Sequence, residues 1–184
     1  MPVEPPAQAQ PDDQAAAPAR GERIILARGG TGWRVTEAFP TEAPPDRDGK
    51  RWFEPGYEVS EWSEAALPAG YKRDAQVQFA TTLNETGGDY YFVGSFQAPE
   101  DLFGGPLALR VNSDNGAVIY INGRLVDEDP AALSGSGHNP AYWNRTATIA
   151  AGVVRPGVNH IAVRLANNRG SSDAYLDLEI AAPE

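Results

Sequence analysis

The stretch from Pro106 to Val126, PLALRVNSDNGAVIYINGRLV, constrains the fold more than any other. It holds two alternating runs joined by a polar turn. Leu107, Leu109 and Val111 share one face of the first run. In the second, Ala117, Ile119 and Ile121 share one face while Val118, Tyr120 and Asn122 share the other. A period of two over this length marks half-buried strands. Ser113-Asp114-Asn115-Gly116 supplies short polar side chains that bond to a turn backbone and a glycine free to take positive φ. The pattern predicts a β-hairpin near the centre of an antiparallel sheet, with Asp114 accepting the backbone N–H groups of its turn. A second turn, Asn122-Gly123, follows at once.

The rest of the chain carries the same signal in shorter pieces. Arg23 to Ala27 and Thr31 to Ala38, with Trp33 and Val35, are predicted strands. So are Gln76 to Leu83, the aromatic run Asp89 to Ala98, and Thr146 to Ala151. Val158 to Ala166 sets Ile161, Val163 and Leu165 against His160, Ala162 and Arg164. Ala174 to Ala181 sets Leu176, Leu178 and Ile180 inward, with Tyr175, Asp177 and Glu179 outward. Outward acids of this kind are expected to serve solubility, and His160 to be solvated. Residues 39–75 form a long irregular segment with Trp52, Phe53, Tyr57, Trp62 and Tyr71 embedded, and one helical turn is conceivable at Ser60 to Ala66. Eight or nine alternating strands predict an all-β fold, an antiparallel β-sandwich of jelly-roll type. Continuous apolar runs, the mark of parallel sheets, are missing.

Composition narrows the function. The chain has 184 residues, enough for one domain with a substantial core plus an appendage. Residues 1–22 are Pro, Ala, Gln and acidic, with little to bury, and form an extended N-terminal arm or linker. The sandwich takes residues 23–184. No cysteine is present, which removes thiolate nucleophiles and Cys-based zinc sites. The net charge of −10 repels phosphate backbones, so no nucleic-acid partner is expected. No apolar run approaches the roughly 20 residues that span a bilayer, so no membrane insertion is expected. The N-terminus has neither a basic start nor an apolar core, so no secretory signal is read there. The expected location is extracellular, cell-surface or virion-associated.

A series of short motifs in order resembles the galactose-binding-domain-like jelly rolls, modules attached to many bacterial glycosidases and secreted proteins. They are Gly32-Trp33-Arg34, Glu61-Trp62, Pro68-Ala69-Gly70-Tyr71, Thr81-Thr82-Leu83, and Tyr90-Tyr91-Phe92 leading to Phe96-Gln97-Ala98-Pro99. Then come Ser113 to Gly123 and Pro156-Gly157-Val158-Asn159-His160-Ile161-Ala162-Val163. The Asp114 turn followed by Tyr120-Ile121-Asn122-Gly123 is the most specific of them. The resemblance implies the fold more firmly than a function. Its members are typically non-catalytic, many bind sugars through loops at one end, several hold a structural calcium, and others serve only in assembly.

A glycan site needs an aromatic face for a sugar ring and planar polar side chains for its hydroxyls. The segment Asp127 to Arg145 offers His138, Asn139, Tyr142, Trp143 and Asn144 within a few residues, with Arg145 beside them. The alternative for Tyr142 and Trp143 is to pin a long loop against the sandwich. Trp33 and Trp62 are assigned to packing. Trp52 and Phe53, between charged residues, offer either a second exposed platform or a partner-docking patch.

Metal and catalytic readings are thinner. Asp127, Glu128 and Asp129 are acidic neighbours, and Asp173 and Asp177 lie on the last strand or its turn. None has a recognisable ligand spacing, so no cofactor is assigned beyond the structural calcium the resemblance allows. Gly135-Ser136-Gly137-His138 lacks the strand–turn–helix setting of a serine nucleophile. Asn84-Glu85-Thr86 and Asn144-Arg145-Thr146 match the N-glycosylation tripeptide, a pattern common by chance. The chain is therefore expected to be a non-enzymatic module that recognises glycan. The alternative is a structural or decoration subunit of a virion or surface layer, docked through its arm to neighbouring subunits in a homo- or hetero-oligomeric assembly.

Overall fold

The structure is a computed structural model and describes residues 21–37, 42–71, 78–85, 88–102, 104–129, 145–167 and 173–183. Twelve strands are present among them: β1 (Glu22–Leu26), β2 (Trp33–Thr36), β3 (Ser63–Ala65), β4 (Ala69–Tyr71), β5 (Thr81–Thr82), β6 (Tyr90–Ala98), β7 (Leu107–Asp114), β8 (Gly116–Ile121), β9 (Arg124–Glu128), β10 (Arg145–Ile149), β11 (Gly157–Ala166) and β12 (Ala174–Pro183). They form two six-stranded sheets. The first has the order β10-β7-β12-β4-β5, with β1 also paired to β12; the second has the order β3-β2-β6-β11-β8-β9. All pairings are antiparallel except β4 with β5. The all-β sandwich expected from the alternation is what forms. Its first strand opens at Glu22, one residue before the expected boundary.

The expected central hairpin does not form. β7 pairs with β10 and β12 in the first sheet, whereas β8 pairs with β11 and β9 in the second. Ser113 to Gly116 is thus a corner where the chain crosses from one sheet to the other. Its residues Ser113, Asp114 and Asn115 are buried. A hairpin and a sheet-crossing corner place the same alternating apolar residues on the core, so the period alone does not separate them. The true hairpin is β8–β9. Its two-residue turn has positive φ at both Asn122 (51°) and Gly123 (79°), the geometry that twisted antiparallel strands prefer.

The inward phases were read correctly from the sequence. Leu109 and Val111 of β7 and Leu176, Leu178 and Ile180 of β12 belong to one buried cluster with Phe92, Ile119, Ile121, Ile161, Val163 and Leu165 of the other sheet. Burying an aliphatic side chain of this size contributes about 1.5–3 kcal/mol, so this layer holds the sandwich together.

Both outer faces differ from expectation. On the first sheet, Asp177 and Glu179 are buried, each 5% exposed. β12 is an inner strand there, and arginines cover it. Arg110 bonds Glu22 at 2.7 Å and Glu179 at 2.8 Å, and Arg28 lies 3.1 Å from Glu179. On the second sheet, residues 43–62 fold back over the strands. Trp52, Phe53, Tyr57 and Trp62 bury themselves against Tyr91, Val93 and Ala162. Trp52 is only 2% exposed and Phe53 8%, so neither is the open platform or docking patch expected from their charged neighbours. The rings prefer the apolar outward positions of β6 and β11 to water. Residues 60–66 contain β3, paired to β2, instead of a helical turn. His160 faces outward as read, but beneath this cover. Its Nε2 is buried without a hydrogen-bond partner among the described residues.

Candidate functional site

One end of the sandwich is built from polar side chains. It gathers the β7–β8 corner, the end of β11, the starts of β6, β10 and β12, and the ends of β4, β5 and β9. At the corner, the Asn115 backbone N–H donates to the Ala166 carbonyl at 3.1 Å, and Asn115 Nδ2 donates to Asp114 Oδ1 at 3.1 Å. Asp114 thus accepts from its neighbour's side chain within a buried corner.

At the end of β11, Asn167 is held from two sides. Its backbone N–H donates to Asp89 Oδ1 at 3.1 Å, and its Nδ2 donates to the Tyr71 hydroxyl at 2.8 Å. Arg164 Nε binds the other oxygen of Asp89 at 2.6 Å. Burial raises the Tyr71 phenol above its usual pKa, with the Asn167 bond opposing, so Tyr71 stays a neutral partner.

The edge formed by β9 and β10 is closed by charge. Arg145 Nε donates to Asp127 Oδ2 at 2.7 Å, and its Nη1 donates to Asp129 Oδ2 at 2.5 Å. All three side chains are below 20% exposed. Two of the three acidic neighbours noted in the sequence, Asp127 and Asp129, are therefore matched by one guanidinium. Among the described residues, no three His, Asp or Glu side chains converge as metal ligands would.

His138, Asn139, Tyr142, Trp143 and Asn144 lie outside the described residues. Their segment joins Asp129 to Arg145, the two residues of that ion pair. Arg145 itself, adjacent to them in the sequence, is engaged by the two aspartates and is not a free sugar ligand.

At the opposite edge of the same end lies a cleft of about 420 Å³ between the end of β2, the start of β3 and the end of β5. Thr36 aligns with Tyr91 at the start of β6, and the Tyr90 hydroxyl donates to the Asn84 carbonyl, which fixes this cleft at the polar end. Glu37, Glu61, Trp62, Thr82 and Asn84 line it. Only the adjacent Glu61-Trp62 hints at it in the sequence, because its lining comes from three separated segments.

Comparison with protein families gives no match, and no curated protein matches. Solved structures do. A β-glucuronidase from an uncultured Clostridium sp. aligns with a TM-score of 0.55 at 16% identity, over 91% of this chain and 30% of its own. The Bacteroides uniformis β-glucuronidase aligns at 0.57 and 16% identity, over 88% and 18%. A glycosyl hydrolase family 2 member from Bacteroides cellulosilyticus DSM 14838 aligns at 0.53 and 19% identity, over 87% and 20%. What is shared is the sandwich. The chain spans less than a third of each of these proteins, so the likeness concerns one part of them and reports fold alone.

Proposed function

We propose that this chain is a non-enzymatic, galactose-binding-like module that recognises glycan through the polar end of its sandwich. Tyr142 and Trp143 stack on sugar rings, and His138, Asn139 and Asn144 bond their hydroxyls. The observation that carries the reading is the Asp127–Arg145–Asp129 ion pair. It ties the two ends of the segment bearing these residues together across the edge strands of the two sheets, as a binding loop requires. The likeness of the fold to part of several glycoside hydrolases supports a carbohydrate-related role.

A glycan array with the intact chain and with Trp143→Ala tests this. The expected result is loss of glycan binding in the variant, with a melting temperature within a few degrees of the parent. Unchanged binding, or a collapse of stability that marks Trp143 as a packing residue, would overturn the assignment.

A further inference from the structure

The cleft between β2, β3 and β5 has a chemistry of its own. Its volume of about 420 Å³ falls in the range of small-ligand sites, about 300–1,000 Å³. One wall is Trp62, which is nine-tenths buried. Its ring is held edge-on to Tyr57, with centroids 5.7 Å apart. No hydrogen bond to its indole N–H is found among the described residues. Thr82 and Asn84 supply a hydroxyl and an amide from the other wall.

Charge selects the ligand. Glu37, Glu61 and Glu64 line the cleft, and among the described residues no Lys, Arg or His does. Glu64 meets Arg34 at 3.2 Å, whereas no ion pair to Glu37 or Glu61 is found among the described residues. A uronate or other acidic sugar brought here would face like charge. An ammonium group would face the Glu37 and Glu61 carboxylates, while the Arg34 guanidinium at the rim is held by Glu64 and the Trp62 carbonyl. Apolar ring surface, neutral donors and acceptors, and uncompensated carboxylates together fit an amino sugar better than a neutral or acidic one.

We propose that this cleft is a binding subsite for an amine-bearing sugar, with Glu37 and Glu61 receiving the ammonium and the Trp62 N–H donating to a ring substituent. It is independent of the loop carrying Trp143, since it uses only residues of the opposite edge.

The test is titration calorimetry of the full chain at about pH 6, where a sugar amine is protonated. The ligands are a glucosamine tetrasaccharide, its fully N-acetylated counterpart, and tetralysine. The expected result is binding of the glucosamine oligomer in preference to the other two, weakened by added salt. Glu37→Gln and Glu61→Gln should each weaken it about three- to fivefold, the size of an exposed ion pair. Trp62→Phe keeps an aromatic ring but removes the N–H and should weaken it further, while Trp143→Ala should leave it unchanged. Equal binding of the N-acetylated sugar, indifference to both glutamine variants, or tetralysine binding as tightly as the sugar would overturn the assignment. Cleavage of the oligosaccharide would overturn the non-enzymatic reading instead.

Discussion

Arg145 of β10 reaches Asp129 beyond the end of β9 at 2.5 Å, tying the edge strand of one sheet to that of the other. The guanidinium also serves Asp127, so one cation satisfies two carboxylates in a place mostly closed to water. Removing one partner of such a buried pair costs about 3–5 kcal/mol, because the remaining charges keep their desolvation penalty. Arg145→Ala is expected to destabilise the chain on that scale in urea unfolding. Arg145→Lys should recover only part of it, since an ammonium does not reproduce the two-point geometry of a guanidinium.

Trp52 sits edge-on to both Tyr91 and Tyr120, at centroid distances of 4.9 and 5.5 Å, and Phe53 stacks on Tyr120 at 4.1 Å. Arg51 lies 4.6 Å above the Phe53 ring. These contacts fasten residues 43–62 to the outer face of the second sheet. Trp52→Ala should cost about 3–5 kcal/mol, as for other buried aromatics. It should also open the segment, and cleavage by trypsin after Lys50 and Arg51 would report this at temperatures where the parent resists.

The same packing marks where the sequence stopped being informative. Period-two alternation in β8, β11 and β12 gave the inward residues without error, because a sheet face in contact with a core leaves that pattern in any context. It could not say which sheet each strand joins, so the β7–β8 corner passed for a hairpin. Nor could it detect β3 and β4, three residues each, within a long irregular segment whose Trp52 and Phe53 stand between charged residues. Asp177, Glu179 and His160 lie on the outward phase as read. Their burial depends on Arg28, Arg110 and the 43–62 segment arriving from distant parts of the chain. The cleft holding Trp62 has the same origin: no local pattern encodes a wall shared by three strands.

Asp177 makes the fold sensitive to pH. Burial pushes its carboxyl up to about 6, against hydrogen bonds from the Gly29 and Leu178 backbone N–H groups and the nearby Arg28 charge. The folded state therefore binds this proton more tightly than the unfolded chain, whose carboxyl titrates near 3.8. The sign follows: the charged form costs stability above about pH 6, and the cost is relieved as pH falls from about 6 toward 4. A shift of this size corresponds to about 3 kcal/mol. Both N–H donors bind the same oxygen, Oδ1, which an amide retains. Asp177→Asn should accordingly raise the melting temperature at pH 7.5 and flatten the dependence of stability on pH between 4 and 6.

Two glycines mark where strands leave no room for a side chain. A Cβ on Gly94 of β6 would stand 2.9 Å from the Trp33 ring, which lies across that gap in the main core. A Cβ on Gly70 of β4 would stand 2.4 Å from the Ala174 carbonyl and 2.5 Å from the Phe79 ring. The first clash is with a side chain that can tilt, the second with the backbone of a paired strand that cannot move without breaking its ladder. Overpacking of this kind costs about 1–3 kcal/mol, and more where nothing yields. Gly94→Ala should fall within that range and Gly70→Ala above it. Since β4 borders the polar end through Tyr71 and Asn167, hydrogen exchange in Gly70→Ala should accelerate first at Leu176, the residue opposite Ala69 in the pairing that a shifted β4 would release.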